Sequence, residues 1–317
     1  MKKIIITGGL GYKGSVLTNK LLKLGHSVTV IDSNWFGNYL EEHPKLEVIE
    51  QDTRNIDLLP KFNADVVVHL AAVANDPSSE INSKLTWETS PLATMRLLEK
   101  MKKDQVNQII YASSGSVYGV KDEEKVTEDL ELVPITDYNK SKMITERLLL
   151  SYKNDFQIQI IRPATVCGIS PRMRFDISVN LLTIHALQNN LITVFGGNQI
   201  RPNIHIDDIT DLYIDCINDP FKYDGIYNCS CENMSILEVA ELVASETGAD
   251  IKITSSNDPR SYRMCNDKLI DAGFSPKKTV LDAIKEIKLS FEEHLIRDDE
   301  KFHNVKWMKK NIDSIIK

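Results

Sequence analysis

Long apolar runs are missing from this chain of 317 residues. The longest, Val66 to Ala74, is interrupted by His69 and falls well short of the roughly 20 residues that cross a bilayer. Met1-Lys2-Lys3 is followed by only three isoleucines before Thr7-Gly8-Gly9, too few for the apolar segment of a secretion signal. Cysteine is sparse and odd in number, five in all, which fits a reducing cytoplasm better than a disulfide framework. Cys229 and Cys231 form a lone C-x-C without further ligand pairs, so they are read as strand side chains and no metal site is expected. An excess of basic residues is lacking too. With 38 Lys and Arg against 45 Asp and Glu, the net charge is −7, so neither nucleic acid nor an anionic membrane is the default partner. Internal repeats, low-complexity tracts and linker-like stretches are also absent.

What is present is a chain, 42% hydrophobic, that can bury a large core, as one elaborate domain or two. Apolar β-like runs alternate with helical segments at 3–7, 28–32, 46–52, 65–72, 108–114 and 157–166. Most are continuous in polarity, as expected of strands covered on both faces. Right-handed βαβ units and an α/β fold, a doubly wound parallel sheet of Rossmann type, follow. Helices are expected at 15–24, 91–103, 138–152 and 177–187. Ser235 to Glu238 and Thr279 to Asp282 read as caps for helices at 236–247 and from 279 to about 295. A short strand is expected at 251–254, and 201–208 reads as a loop entering a strand and a helix. The tail 297–317 carries Trp307, Met308, Ile312, Ile315 and Ile316 and is expected to pack on the body or a partner chain. The division drawn is a body of residues 1–166, rejoined around 203–228, and a smaller α/β lid domain of 167–202 and 229–317.

The stretch Thr7-Gly8-Gly9-Leu10-Gly11-Tyr12-Lys13-Gly14 lies between the first strand and a helix, as a dinucleotide turn does. Gly8 permits a tight turn, Gly11 lets the backbone approach a pyrophosphate, and Gly14 lets helix and strand pack closely. Amides at the helix start, around Tyr12 and Lys13, then face the phosphates. The next strand ends at Asp32, 18 residues after Gly14. An acidic side chain there binds both ribose hydroxyls and repels a 2′-phosphate, favouring NAD over NADP.

Tyr138-Asn-Lys-Ser-Lys142 sets a phenol and an ammonium on one helix face. Tyr111-Ala-Ser-Ser-Gly-Ser-Val-Tyr-Gly119 ends a strand in hydroxyls, at the sheet edge where such folds bind ligands. A tyrosine with an ordinary pKa of about 10 is a poor base at neutral pH, and a Lys142 ammonium beside a cationic nicotinamide favours its phenolate. Tyr138 then takes a hydroxyl proton while hydride leaves the same carbon, Ser114 holds the oxygen, and Lys142 also grips the nicotinamide ribose.

With the turn, Asp32, the serine-rich strand end and the Tyr-x-x-x-Lys pair, the chain resembles the extended short-chain dehydrogenase/reductases of the NAD-dependent nucleotide-sugar epimerase/dehydratase type. Gln51-Asp-Thr-Arg54, His69-Leu-Ala-Ala72, Arg162-Pro-Ala-Thr165 and Arg201-Pro-Asn-Ile-His-Ile-Asp-Asp208 add to the resemblance, which covers nearly the whole chain. It implies Ser114, Tyr138 and Lys142 as catalytic residues, Asp52 and Thr53 near the adenine, and Leu70, Ala71 and Ala72 along NAD. It implies a nucleoside-diphosphate sugar as substrate, with Arg172, Arg174, Arg201 and Arg260 as candidate diphosphate contacts because arginine forks suit such groups. Asn180 is placed near the base, and Asn75, Ser116 and Thr165 near the sugar. It also implies a homodimer built on the helices at 91–103 and 138–152. Dehydratases of this family carry Asp-Glu just after the residue matching Ser114; here those positions are Gly115 and Ser116, which disfavours loss of water. A C4 epimerase is the leading expectation. A C4 dehydrogenase or ketoreductase stays open, because 162–174 and the Asp258-Pro-Arg-Ser-Tyr262 region are similar to GDP-heptose C4 dehydrogenases of bacterial capsule pathways, and so does a cofactor-binding protein that has lost turnover.

Overall fold

The computed structural model describes residues 1–256 and 261–316. Seven parallel strands form the main sheet: β1 (Lys3–Thr7), β2 (Ser27–Asp32), β3 (Leu46–Glu50), β4 (Val66–His69), β5 (Gln108–Ala112), β6 (Gln157–Pro163) and, later in the chain, the strand Gly225–Cys229. In space the Gly225–Cys229 strand comes first, followed by β6, β5, β4, β1, β2 and β3. The order reverses beside β1, which places a crevice above the carboxyl ends of β1 and β4.

Burial on both faces explains the continuous apolar runs. Every residue of β4 and β5 is buried. Successive side chains of each strand point to opposite faces, so one set (Ile4, Ile6, Val66, Val68, Ile110) packs in one core. That core also holds Leu17 and Leu21 of the Tyr12–Lys23 helix and Leu212 and Tyr213 of the Ile206–Asn218 helix. The alternate set (Ile5, Val67, Ile109, Tyr111, Ile158) meets Leu97, Leu98 and Leu149 on the other face. Those leucines come from the helices Ala93–Asp104 and Asp137–Ser151.

After β6 come β7 (Thr165–Cys167), β8 (Leu191–Phe195) and β9 (Ile200–His205), then the returning strand as β10 (Gly225–Cys229), β11 (Glu232–Ser235) and β12 (Asp250–Thr254). β11, β9 and β7 make a three-stranded sheet, and β12 pairs with β8. Helices Ser178–Asn189, Ile236–Thr247 and Val280–Glu292 enclose a separate apolar core with Ile192 and Val194. The boundary drawn at residue 166 falls inside β7.

The strand expected within 201–208 starts earlier than expected: β9 already includes Ile200, Arg201 and Pro202, and it is the centre of its sheet, where Pro202 and Asn203 are buried. The segment expected to be helical from Pro91 instead passes through a wide turn, Glu88–Leu92, before the helix proper begins at Ala93. Pro91 has no N–H to give to a regular helical ladder. Both predicted caps form as reciprocal boxes, Ser235 with Glu238 and Thr279 with Asp282. The tail packs on the body. Its helix Asn304–Ile315 sets Met308 and Ile315 against Val73 and Leu85, and Trp307 lies 5.0 Å from Phe36. No helix among the described residues is long and apolar enough to cross a membrane.

Candidate active site

A cleft of about 1610 Å³, part of it open to solvent, runs over the crevice from Asp32 to Tyr138. Its floor is the β1 turn. Gly8 has φ +74°, and a Cβ there would lie 2.6 Å from the Ala71 amide nitrogen. A Cβ on Gly14 would run into the Gly8 carbonyl. So the two glycines are required by packing as well as by the turn. The Tyr12–Lys23 helix has no side-chain cap, leaving first-turn amides to serve an anion in the cleft. Gly11, Tyr12 and Lys13 all line it.

At one end, Asp32 accepts from the Leu10 and Asn34 amides at 3.0 and 2.9 Å, and burial raises its pKa. Asp52, Thr53, Leu70, Ala71 and Ala72 line the adjoining wall. The Asp52 carboxylate is itself held by Arg54, at 2.9 Å to Nη2, and caps the turn that follows. The uncapped start of the Tyr12–Lys23 helix, a cradle closed to side chains and a carboxylate at the end of β2 fit a dinucleotide.

At the other end Ser114, Ser116, Tyr138 and Lys142 come together. The Ser114 and Ser116 hydroxyls are 2.8 Å apart. Thr136 caps the helix that carries Tyr138 and Lys142, fixing where it begins. Lys142 Nζ donates to the Ala112 carbonyl at 2.7 Å and lies 5.8 Å from the Tyr138 ring centre. Its pKa is lowered to about 7, first by burial and then by the Lys13 charge. Lys13 is itself lowered to about 8, by burial and Arg174. The expected lowering of the Tyr138 pKa is not what the chain alone produces. Burial, then the Asp76 charge, push it up to about 12 against the opposing pull of Ser114 and Arg174.

The remaining candidates divide. Asn75, Ser116, Thr165, Arg172 and Arg174 line the cleft. Arg174 is forked onto Asp176 at 2.9 and 3.0 Å, and Asn75 donates to the same carboxylate at 3.1 Å. Arg172 sits at the Asp32 end, over the Phe36 ring, instead of beside Tyr138. Asn180 does not reach the cleft: it is fully buried, its oxygen accepting from the Gly168 amide and its nitrogen donating to the Tyr12 hydroxyl and the Arg174 carbonyl. It shapes the arginine loop from beneath. Arg201, on β9 opposite Met234, is not among the lining residues either. Arg260 lies outside the described residues. Tyr12 spends its hydroxyl on the Gly168 carbonyl at 2.7 Å. His69 is structural, between the Thr7 and Thr94 hydroxyls.

Sequence reasoning missed several residues of the cleft. Trp35 and Phe36 line it close after Asp32, and their aromaticity so near a ribose-binding position was the available signal. Asn304 also lines it, from a helix that no local pattern connects to the turn. Beneath the serines lies a buried ion pair, Glu146 with Arg162 at 2.7 Å; Arg162 opens the Arg-Pro-Ala-Thr segment, but nothing in the sequence joined it to Glu146.

A doubly wound parallel sheet with a glycine turn at the switch point, and a serine facing Tyr-x-x-x-Lys at the sheet's carboxyl edge, define an extended short-chain dehydrogenase/reductase. The chain belongs to the NAD dependent epimerase/dehydratase family, whose model matches residues 4–230. It is an NAD-dependent enzyme of the nucleotide-sugar epimerase group. It is 28% identical over 296 residues to a putative UDP-glucose 4-epimerase of Methanocaldococcus jannaschii, covering 90% of this chain and 96% of that one. It is 32% identical over 265 residues to an uncharacterized UDP-glucose epimerase of Bacillus subtilis, covering 78% and 82%. Among solved structures, a UDP-glucuronic acid 4-epimerase from Bacillus cereus, in complex with UDP-glucuronic acid and NAD, matches with a TM-score of 0.80 at 27% identity, over 90% of this chain and 99% of that one.

Proposed function

We propose that the protein is a nucleoside-diphosphate-sugar C4 epimerase acting through a transient 4-keto sugar, with UDP-sugars the first class to test because its relatives bear UDP-sugar names. The observation that carries this is the meeting of Ser114, Tyr138 and Lys142 at the carboxyl end of β5, with Gly115 and Ser116 in the two positions after Ser114. A side chain at Gly115 would run into Met264, and Ser116 is bonded to Ser114, so neither position offers the carboxyl needed to expel water. Tyr138 accepts the proton of the C4 hydroxyl and later returns it, while Ser114 holds the C4 oxygen throughout. NAD supplies, when bound, reversible hydride acceptance, and its nicotinamide cation favours the Tyr138 phenolate. Lys142 orients the ribose, and Arg174, Asn75 and Thr165 face the sugar diphosphate. For inversion the keto sugar turns in the site before reduction. The protein acts as a homodimer, since Met95 and Ile144 are exposed on the helices Ala93–Asp104 and Asp137–Ser151.

The test is product analysis by mass and NMR after incubation with UDP-, GDP-, CDP- and dTDP-sugars. A product of unchanged mass and inverted C4 is expected, with Tyr138→Phe slowing it by ~10²–10⁴-fold. Loss of two hydrogens with NADH accumulating would make it a dehydrogenase, loss of water a dehydratase, and full turnover by the Phe variant would remove Tyr138 from the reaction.

A further inference from the structure

Arg172 is an unusual arginine for an acidic protein. Its side chain is 1% exposed, yet it forms no ion pair with any described carboxylate, unlike Arg174 next but one. Nε is buried without a hydrogen-bond partner. The guanidinium carbon lies 4.1 Å from the centre of the Phe36 ring. Nη2 donates to the Lys301 carbonyl at 3.0 Å and to Asn304 Oδ1. So a cation is clamped between an aromatic face and the tail, on the wall of the cleft that holds Asp32. A buried guanidinium with an unspent Nε donor and no described carboxylate in ion-pair contact, though Asp176 and Asp32 lie near enough to act on it, leaves room for an anion.

The tail is fastened to the same end by other bonds. The Asn304 amide donates to Asp176 at 3.2 Å, Arg54 donates to the Ile315 carbonyl at 3.1 Å, and Trp307 packs on Phe36. This segment lies beyond the residues that the family model matches.

We propose that Arg172, presented by Phe36 and the Lys301–Asn304 segment, is an anion site for the pyrophosphate of the dinucleotide on its adenosine side, making the tail a latch that retains NAD. Asp32 and Arg172 then flank the adenosine ribose from two distant parts of the chain. The planar fork suits a phosphate, and Phe36 and Asn304 fix its plane. This rests on the reading that the dinucleotide lies along the β1 turn with its ribose at Asp32.

The test is equilibrium binding of NAD, ADP-ribose and UDP to the full-length protein, together with the rate at which bound NAD is lost on dilution. Arg172→Met is expected to weaken NAD and ADP-ribose alike, by about tenfold to a hundredfold, and to leave UDP unchanged. Arg172→Lys restores charge without the fork and recovers part of the loss. Asn304→Ala, which keeps Arg172, is expected to speed NAD loss severalfold, and it carries the test should the Met variant not fold. NAD and ADP-ribose affinities within threefold of the parent in every folded variant would overturn the proposal. So would weakened UDP binding with NAD unaffected, which would return Arg172 to the substrate. A parent protein that binds UDP-sugar but neither NAD nor ADP-ribose would instead sink the cofactor reading on which the proposal stands.

Discussion

Removing Arg162 tests how the reaction centre is supported. Arg162 stands on β6 and Glu146 on the Tyr138 helix, each side chain 2% exposed. Nε and Nη2 of the arginine fork onto the carboxylate at 2.9 and 2.7 Å, and Nη1 donates to the Tyr118 hydroxyl at 2.7 Å. Tyr118 in turn donates to Asn228 on β10 at 2.8 Å, and Ser113, next to Ser114, donates to Glu146. One residue pair thus joins β6, β10, the serine strand end and the helix bearing Lys142. Arg162→Met keeps most of the volume but strands a buried carboxylate, at a cost of ~3–5 kcal/mol. Against a total of ~5–15 kcal/mol that is severe, roughly 5–8 °C in Tm for a chain of this length. The double variant Arg162→Met/Glu146→Leu removes both charges, so it should lose less than the Met variant alone. It does not return to the parent, because Ser113 and Tyr118 each lose a partner at ~1–3 kcal/mol. Urea unfolding followed by circular dichroism gives all four corners of the cycle, with a coupling of at least ~1 kcal/mol expected. A single-variant cost under ~1 kcal/mol, or costs that simply add, would show that the pair does not behave as a buried, mutually dependent unit.

His69 titrates near 6.5 when unfolded but is lowered to about 3 in the fold by burial, with Lys142 adding to it. Protons therefore favour the unfolded chain as pH falls below 6.5, a loss of about 2 kcal/mol by pH 5 that grows until pH approaches 3. His69→Gln, which still reaches Thr7 and Thr94, should show a pH 7 to pH 5 stability drop smaller by that amount; an equal drop refutes the assignment. For the dimer, light scattering of the parent should give twice 35.9 kDa, and Met95→Glu/Ile144→Glu should give a monomer. A monomeric parent ends that proposal.

What could be read from the sequence was local. The β1 turn, the Ser235 and Thr279 caps and the strands β1, β2, β4, β5 and β6 announce themselves because each is encoded within a few neighbouring residues. The start of β9 did not. Pro202 and Asn203 are poor strand residues on their own, and only pairing with β7 and β11, distant in sequence, makes them one. Asn180 and Arg201 failed for another reason. A residue's type says what it can bind, but its direction is set by packing: Asn180 turns under Tyr12 and Arg201 lies outside the cleft. Arg172 reads as a contact for the substrate diphosphate, and its place at the Asp32 end could not be read locally, since its partners Phe36 and Asn304 stand 136 positions before it and 132 after it.

Charge shows the same division between composition and structure. A chain of net charge −7 sets Lys13, Lys142, Arg172 and Arg174 around one cleft, from two helices and a loop. Only Arg174 has a carboxylate of its own, and only its pKa is raised; burial holds Lys13 at about 8, Lys142 at about 7 and Arg172 at about 9. Each lowered value means that the fold disfavours that charge, and all three line the one cleft, between its Asp32 end and its Tyr138 end. An anion bound there restores the protonated forms, so binding takes up protons and stabilises the fold at once. The acidic surface and the cationic cleft are parts of one arrangement: the cleft is where this chain leaves positive charge for its ligands to complete.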